Sequence, residues 1–341
     1  MTRSEILNWL QEDDSHRLRE LAVAADRVRR EHVGDEVYLR GLIEISNYCR
    51  CNCLYCGIRA SRRIERYRLS EDEIIGCCRQ AAELGYGTVV LQSGEDLGLT
   101  AGFISRVISR IRDEYGLAVT LSLGERTPAE LAVWRRFGAD RYLLKHETAD
   151  ARLFHEVHPG SSPEQRIRLL QRARELGYEI GSGVMVGIPG QTYESLADDI
   201  MLFQELDLDM IGSGPFIPHP DTPLGQVDCL AGEAPNSDLM TAKVIALSRM
   251  VCPEANIPAT TALATVNPEA GRELGLCWGA NVWMPDLTPE RYRRLYDIYP
   301  GKADAVSIHQ SHERLLASIT AIGRRIGSGA GNRHRRHTDG V

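Results

Sequence analysis

The stretch Asn47-Tyr48-Cys49-Arg50-Cys51-Asn52-Cys53-Leu54-Tyr55-Cys56-Gly57 sets four cysteines within eight residues, directly behind the apolar run Leu42–Ser46. Thiols this crowded serve chemistry rather than packing. A four-cysteine zinc site usually draws on two knuckles a dozen or more residues apart, and no second Cys-x2-Cys follows here. Thiolates equally suit iron–sulfur clusters. Cys49, Cys53 and Cys56 have the Cys-x3-Cys-x2-Cys spacing that gives three ligands to a four-iron cluster and leaves one iron open. With Leu42–Ser46 as a strand, the cysteines stand at its C-terminal end, where active sites gather in α/β barrels.

The rest of the 341-residue chain fits such a barrel. Further strands are predicted at Thr88–Gln92, Ala118–Leu123, Arg141–Lys145, Glu179–Met185, Met210–Gly214, Ala259–Ala262 and Asn281–Met284, with amphipathic stretches between them. Ser70 with Glu73, Ser162-Pro163 with Gln165, Thr127-Pro128 and Thr288-Pro289 read as helix starts, most with proline at the first helical position. Eight strands alternating with helices over about 250 residues predict the α/β class and a complete (β/α)8 TIM barrel. No Gly-x-Gly-x-x-Gly follows the first strand, so an open nucleotide-binding sheet loses its main support. The predicted organisation is an N-terminal helical extension over 1–37, helical across 3–33, then the barrel over 38–302. A C-terminal helical segment over 303–326 and a Gly-, Arg- and His-rich disordered tail over 327–341 follow.

Composition narrows the function. Hydrophobic residues at 43% and charged residues at 26% exclude a disordered chain. A net charge of −7 argues against a general nucleic-acid binder. No apolar run approaches the roughly 18 residues of a membrane span. The first residues turn acidic where a secretory leader is apolar, so a cytoplasmic location with reduced thiols is expected. Cys77, Cys78, Cys229, Cys252 and Cys277 form no ligand pattern and are expected to be structural. Lysine occurs only at positions 145, 243 and 302, a bias that base composition explains.

The cysteine loop, with Tyr55 in the aromatic place before the last cysteine, resembles that of the radical S-adenosylmethionine (SAM) superfamily. In that register Cys51 is a non-ligand, because a set of Cys51, Cys53 and Cys56 would break the superfamily spacing. Further blocks extend the likeness: Leu91-Gln92-Ser93-Gly94-Glu95-Asp96, Thr120-Leu121-Ser122-Leu123-Gly124-Glu125, Arg141 through Thr148, Gly187 through Thr192, Gly214 through Pro223, Ile257 through Thr261 and Tyr299-Pro300-Gly301-Lys302. From about residue 38 to residue 302 they are similar to the [FeFe]-hydrogenase maturase family HydE, of the biotin-synthase-like group.

The resemblance implies one [4Fe-4S] cluster and SAM, cleaved reductively to a 5′-deoxyadenosyl radical. It implies that Glu147 and Arg166 hold SAM, that the Ser93-Gly94-Glu95 backbone meets its amino group, and that Tyr55, Tyr296 and Tyr299 lie nearby. Inward-facing Thr120, Ser122, Lys145, Thr260, Thr261 and Met284 are the expected substrate pocket, suited to a small anion. No residue is assigned a catalytic acid or base role. The implied substrate is a sulfur-containing, cysteine-derived iron–carbonyl–cyanide precursor. The implied partners are an electron donor such as ferredoxin or flavodoxin and other maturases, with neither nucleic acid nor membrane involved. Two departures stand out. Ala303 through His312 has no cysteine where some members bind a second cluster, so one cluster is expected. Lys145 stands where arginine is expected, and lysine lacks the two-pronged grip on a carboxylate. A methylornithine-synthase-like mutase acting on an amino acid, or a cluster-carrying assembly scaffold, are the alternatives. A scaffold would have no need of Glu147 and Arg166.

Overall fold

Apolar residues on both faces of Glu36–Ser46 build the longest strand, β1, buried along nearly all its length. Both faces of such a strand must be covered, as in a sheet wrapped by helices. In the computed structural model, which describes residues 1–228, 230–302 and 308–333, nine further strands follow. They are β2 (Thr88–Ser93), β3 (Ala118–Ser122), β4 (Arg141–Leu143), β5 (Glu179–Ser182), β6 (Met185–Val186), β7 (Met210–Ile211), β8 (Gly214–Pro215), β9 (Val282–Trp283) and β10 (Arg325–Ile326). Parallel pairing runs β10-β1-β2-β3-β4-β5-β7, with β9 also on β1. From β7 back to β9 only two isolated bridges are present among the described residues, Met210 with Asn256 and Pro258 with Val282. The ladder is therefore an open parallel arc, not the continuously paired complete barrel expected from the strand count.

The differences have local causes. The expected strand Ala259–Ala262 is absent because the Thr260 side chain accepts from Leu263 N and opens the helix Thr261–Val266. Glu179–Met185 and Met210–Gly214 each break in two, and the outer halves form a separate pair, β6 with β8. Glycine permits this bend: a Cβ on Gly183 would lie 2.1 Å from Gly212 O. Arg141–Lys145 stops as a strand at Leu143, so strict alternation ends there.

Ser70, Thr127 and Ser162 cap the helices Glu71–Glu83, Pro128–Arg136 and Pro163–Glu175. Thr288 does not cap a helix. Its hydroxyl accepts from Glu44 N at 2.9 Å, and the turn Glu290–Arg293 has no side-chain cap. Residues 3–33 form two helices, Arg3–Gln11 and Ser15–Val33, because Asp14 caps the second. The buried Lys243 ammonium donates to Leu10 O at 2.9 Å and to Glu12 O, closing the end of the first helix.

The strap 327–333 seals the N-terminal end of the sheet instead of fraying. Ala330 O accepts from Thr88 Oγ1 and Arg141 Nη2, both at 2.9 Å, and Gly331 O accepts from Arg40 Nη2 and Asn256 Nδ2, both at 3.0 Å. The expected disordered tail is thus tied down as far as Arg333. Residues 303–307 and 334–341, with Cys229, lie outside the described residues. Among the described residues no helix is long and apolar enough to cross a membrane. Cys77, Cys78 and Cys252 are buried, and Cys277 is exposed.

Candidate active site

The cysteine loop leaves the end of β1 and is gripped from both sides. Asn47 Nδ2 donates to Glu65 O and Leu295 O, each at 2.8 Å. The Arg66 guanidinium gathers the carbonyls of Asn47, Ile58, Arg59 and Arg62. Gly57 N donates to Ile298 O at 3.0 Å, and a Cβ at Gly57 would fall 2.0 Å from Asp297 O. Behind that contact His219 Nε2 donates to Asp297 Oδ2 at 2.9 Å while its Nδ1 accepts from Asp221 N. The loop is a rigid platform, and all four of its cysteines are free and line one cavity. Burial pushes the Cys56 thiol up to about 12, so it stays protonated unless a cation takes the proton's place. Among the described residues no three His, Cys, Asp or Glu side chains converge on a single ion. A mononuclear zinc site with bonds of about 2.3 Å needs such convergence, whereas a cluster needs its thiolates spread.

The ledge Ser93-Gly94-Glu95 after β2 presses against this loop. A Cβ at Gly94 would lie 2.3 Å from Tyr48 O and 2.8 Å from Cys49 Cβ. Gly94 N donates to Ser46 O, Arg50 N donates to Glu95 O, and Ser93 Oγ donates to Gly94 O. The Glu95 side chain is more central than its backbone. It accepts from Glu125 N at 3.0 Å and from Arg50 Nε at 3.1 Å, and lies 3.8 Å from Arg166.

Arg166, one turn into its helix, is the hub. Its Nε donates to Glu125 Oε1 at 3.1 Å, Nη1 to Lys145 O at 2.6 Å and Nη2 to His158 Nε2 at 2.6 Å. Glu147 is only at the edge of pairing, 4.0 Å away. Burial opposes the cation, but Tyr55, Glu147, Glu125 and Glu95 together raise its pKa above the ordinary guanidinium value. Because His158 Nε2 accepts, its ring is neutral, and burial together with Arg166 lowers its pKa to about 4. Glu147 adopts a left-handed φ of 64°, unusual for a non-glycine residue, and its Oε2 is buried without a partner.

Below the rim the cavity, about 350 Å³, descends through the sheet. Every residue singled out from the sequence for cluster, SAM or substrate lines it: Cys49, Cys53, Cys56, Tyr55, Ser93, Gly94, Glu147, Arg166, Tyr296 and Tyr299, and below them Thr120, Ser122, Lys145, Thr260, Thr261 and Met284. Not all are free to act. The Thr260 hydroxyl caps a helix and that of Thr261 accepts from Arg272. Thr120 Oγ1, in contrast, has no partner. Lys145 has no carboxylate within ion-pair distance among the described residues, and Leu144 lines the cavity beside it, against strand alternation. Sequence reasoning missed the side chains of Glu95 and Glu125, His158, and the Glu44–Lys302 ion pair, whose ammonium sits 4.6 Å over the Tyr296 ring. Glu95, Glu125 and Lys302 did lie within the quoted blocks. His158 carried no signal.

Comparison with known proteins fits this geometry. Residues 43–203 match the model of the radical SAM superfamily. The chain is 46% identical over 316 residues to the [FeFe] hydrogenase maturase subunit HydE of Thermotoga maritima, spanning 91% of this chain and 88% of that one. Two solved structures share its fold. Methylornithine synthase aligns with a TM-score of 0.82 at 24% identity, over 96% of this chain and 94% of that one. The maturase HydG of Carboxydothermus hydrogenoformans aligns with a TM-score of 0.77 at 20% identity, over 95% and 75%.

Proposed function

The chain belongs to the HydE family of [FeFe]-hydrogenase maturases, radical SAM enzymes that use a [4Fe-4S] cluster and SAM, and from that premise we propose how its own residues divide the work. Cys49, Cys53 and Cys56 hold the cluster. The Gly94 ledge, too close to the loop for any side chain, leaves room for SAM beside it, and the unpaired Glu147 Oε2 accepts from SAM's ammonium or ribose. Arg166 pairs with the SAM carboxylate, kept charged and aimed by Glu125, Glu95 and neutral His158. When bound, cluster and SAM supply a 5′-deoxyadenosyl radical. The protein's share is to bind, orient and exclude water: Leu42, Val90, Leu143 and Phe216 give the cavity an apolar wall that holds no water by hydrogen bonds.

The substrate is a small sulfur-containing, cysteine-derived molecule, an iron–carbonyl–cyanide precursor. Lys145 carries this reading: a cation that lines the cavity with no carboxylate within ion-pair distance among the described residues implies an anion that arrives with the substrate. Thr120 Oγ1, also unpaired, is a second anchor. Lys145→Ala should abolish substrate-dependent SAM cleavage while sparing SAM binding, and Lys145→Arg should retain measurable activity. Turnover undiminished in Lys145→Ala would make this lysine a rim residue. An amino-acid mutase of the methylornithine-synthase kind is the second reading, supported by the shared fold, since an amino-acid carboxylate would suit the same lysine. Assays with thiol and amino-acid substrates side by side separate the two. A cytoplasmic setting, reduction by a ferredoxin or flavodoxin, and traffic with other maturases complete the proposal.

A further inference from the structure

The fourth thiol of the loop has no role in that scheme, yet its place is built. Cys51 O accepts from Ala60 N at 2.8 Å. The next residue, Asn52, is pinned by Arg59 Nε at 2.8 Å and Ser61 Oγ at 2.7 Å, so the backbone holds Cys51 in one orientation. Its side chain lines the cavity, flanked by the thiols of Cys49 and Cys53 and by the Glu95 carboxylate. Glu95 in turn stands 3.8 Å from Arg166. Cys51 therefore occupies the side of the loop on which Gly94, Glu95 and Arg166 converge, where the iron without a cysteine ligand must face if SAM is to reach it.

We infer that Cys51 is a reserve thiolate for that iron, binding it while SAM is absent and releasing it when SAM arrives. The inference rests on reading the loop as a cluster site. An iron with an open position is the one most readily lost from a cluster, and thiolate is the ligand that suits iron–sulfur centres best. The exchange needs no oxidant. One iron–sulfur bond breaks, the amino nitrogen and carboxylate oxygen of SAM each form a bond to the iron, and the freed thiolate takes a proton from solvent. Two donors on one molecule displace a single one, and Arg166 and Glu147 favour the incoming group.

The test uses full-length protein reconstituted anaerobically: wild type, Cys51→Ser and Cys51→Ala. Without SAM, Mössbauer spectra of the wild type should show four thiolate-ligated irons. In both variants one iron should differ, and mild ferricyanide should yield the EPR signal of a [3Fe-4S] form about tenfold faster. SAM should bind both variants about tenfold more tightly, having no thiolate to displace. Variants that carry a full cluster but match the wild type in iron loss and SAM affinity overturn the role of Cys51 alone. A wild type that takes up no cluster overturns the loop assignment with it.

Discussion

The two ends of the barrel are both rich in arginine and use it differently. At the floor, Arg249 donates to Gly279 O, Pro253 O and Asn281 Oδ1, and Arg324 to four backbone carbonyls. Arg141 joins Glu179 to the strap at Ala330. The unpaired arginine atoms there are Nε of Arg40, Arg174 and Arg333, on guanidiniums whose other nitrogens are bonded. At the mouth one oxygen of Glu147 and Nδ1 of His158 lack partners, as does the Thr120 hydroxyl deeper in the same cavity. Leaving a buried polar atom unpaired costs about 1–3 kcal/mol. Every floor guanidinium keeps partners through its other nitrogens, whereas the mouth leaves acceptors open where a ligand belongs, matching the division of barrel ends into stability and function.

The contrast can be broken at either end. The largest effect is expected at the floor. Arg249→Met strands the buried acceptors Gly279 O and Pro253 O, whereas Asn281 Oδ1 keeps Ile257 N. The substitution should cost about 4 kcal/mol in urea unfolding, while SAM affinity of the folded protein is unchanged. A loss below about 1 kcal/mol would erase the distinction.

Next in size is a pH effect at the mouth. His158 titrates near 4 when folded and near 6.5 when unfolded, so between those values the unfolded chain binds a proton that the folded one rejects. Stability should therefore be full above pH 6.5 and fall by about 3 kcal/mol as the pH drops to 4. His146, lowered to about 3 chiefly by burial, adds a decline over an overlapping range. His158→Gln keeps an acceptor for Arg166 and should flatten the curve by His158's share. A curve as steep as the wild type's would place the acid sensitivity elsewhere.

The smallest effects separate stability from binding. Glu147→Gly relieves a left-handed backbone and should gain about 1 kcal/mol in stability. It should also weaken SAM binding roughly ten- to a hundredfold, as should Glu147→Gln and Arg166→Ala, with the cluster retained in all three. Unchanged SAM affinity in these variants would make the pair a structural contact.

The sequence made the mouth more legible than the closure of the sheet. Cysteine spacing is a local covalent pattern, so the loop was legible by itself, whereas Ser93, Gly94, Glu147 and Arg166 came only with the family resemblance; all of them line one cavity. Helix starts at Ser70, Thr127 and Ser162 were equally local. What failed depended on distant partners. Thr288 resembles a cap but serves Glu44, 244 residues away. The Gly-rich end reads as disorder because its order comes from Arg40, Thr88 and Arg141, which hold its carbonyls. The two-residue strand β10 is too short to carry periodicity of its own.

The central claim is that three cysteines hold a cluster with one iron open to SAM, and its most direct test is the reduced, reconstituted protein observed by EPR with and without SAM. The account predicts about four iron and four sulfide per chain and a [4Fe-4S] signal whose g-values shift when SAM binds. That signal should disappear in Cys49→Ser, Cys53→Ser and Cys56→Ser but persist in Cys51→Ser. About twice that iron content, a spectrum indifferent to SAM, or a cluster lost with Cys51 and kept without Cys49 would contradict it.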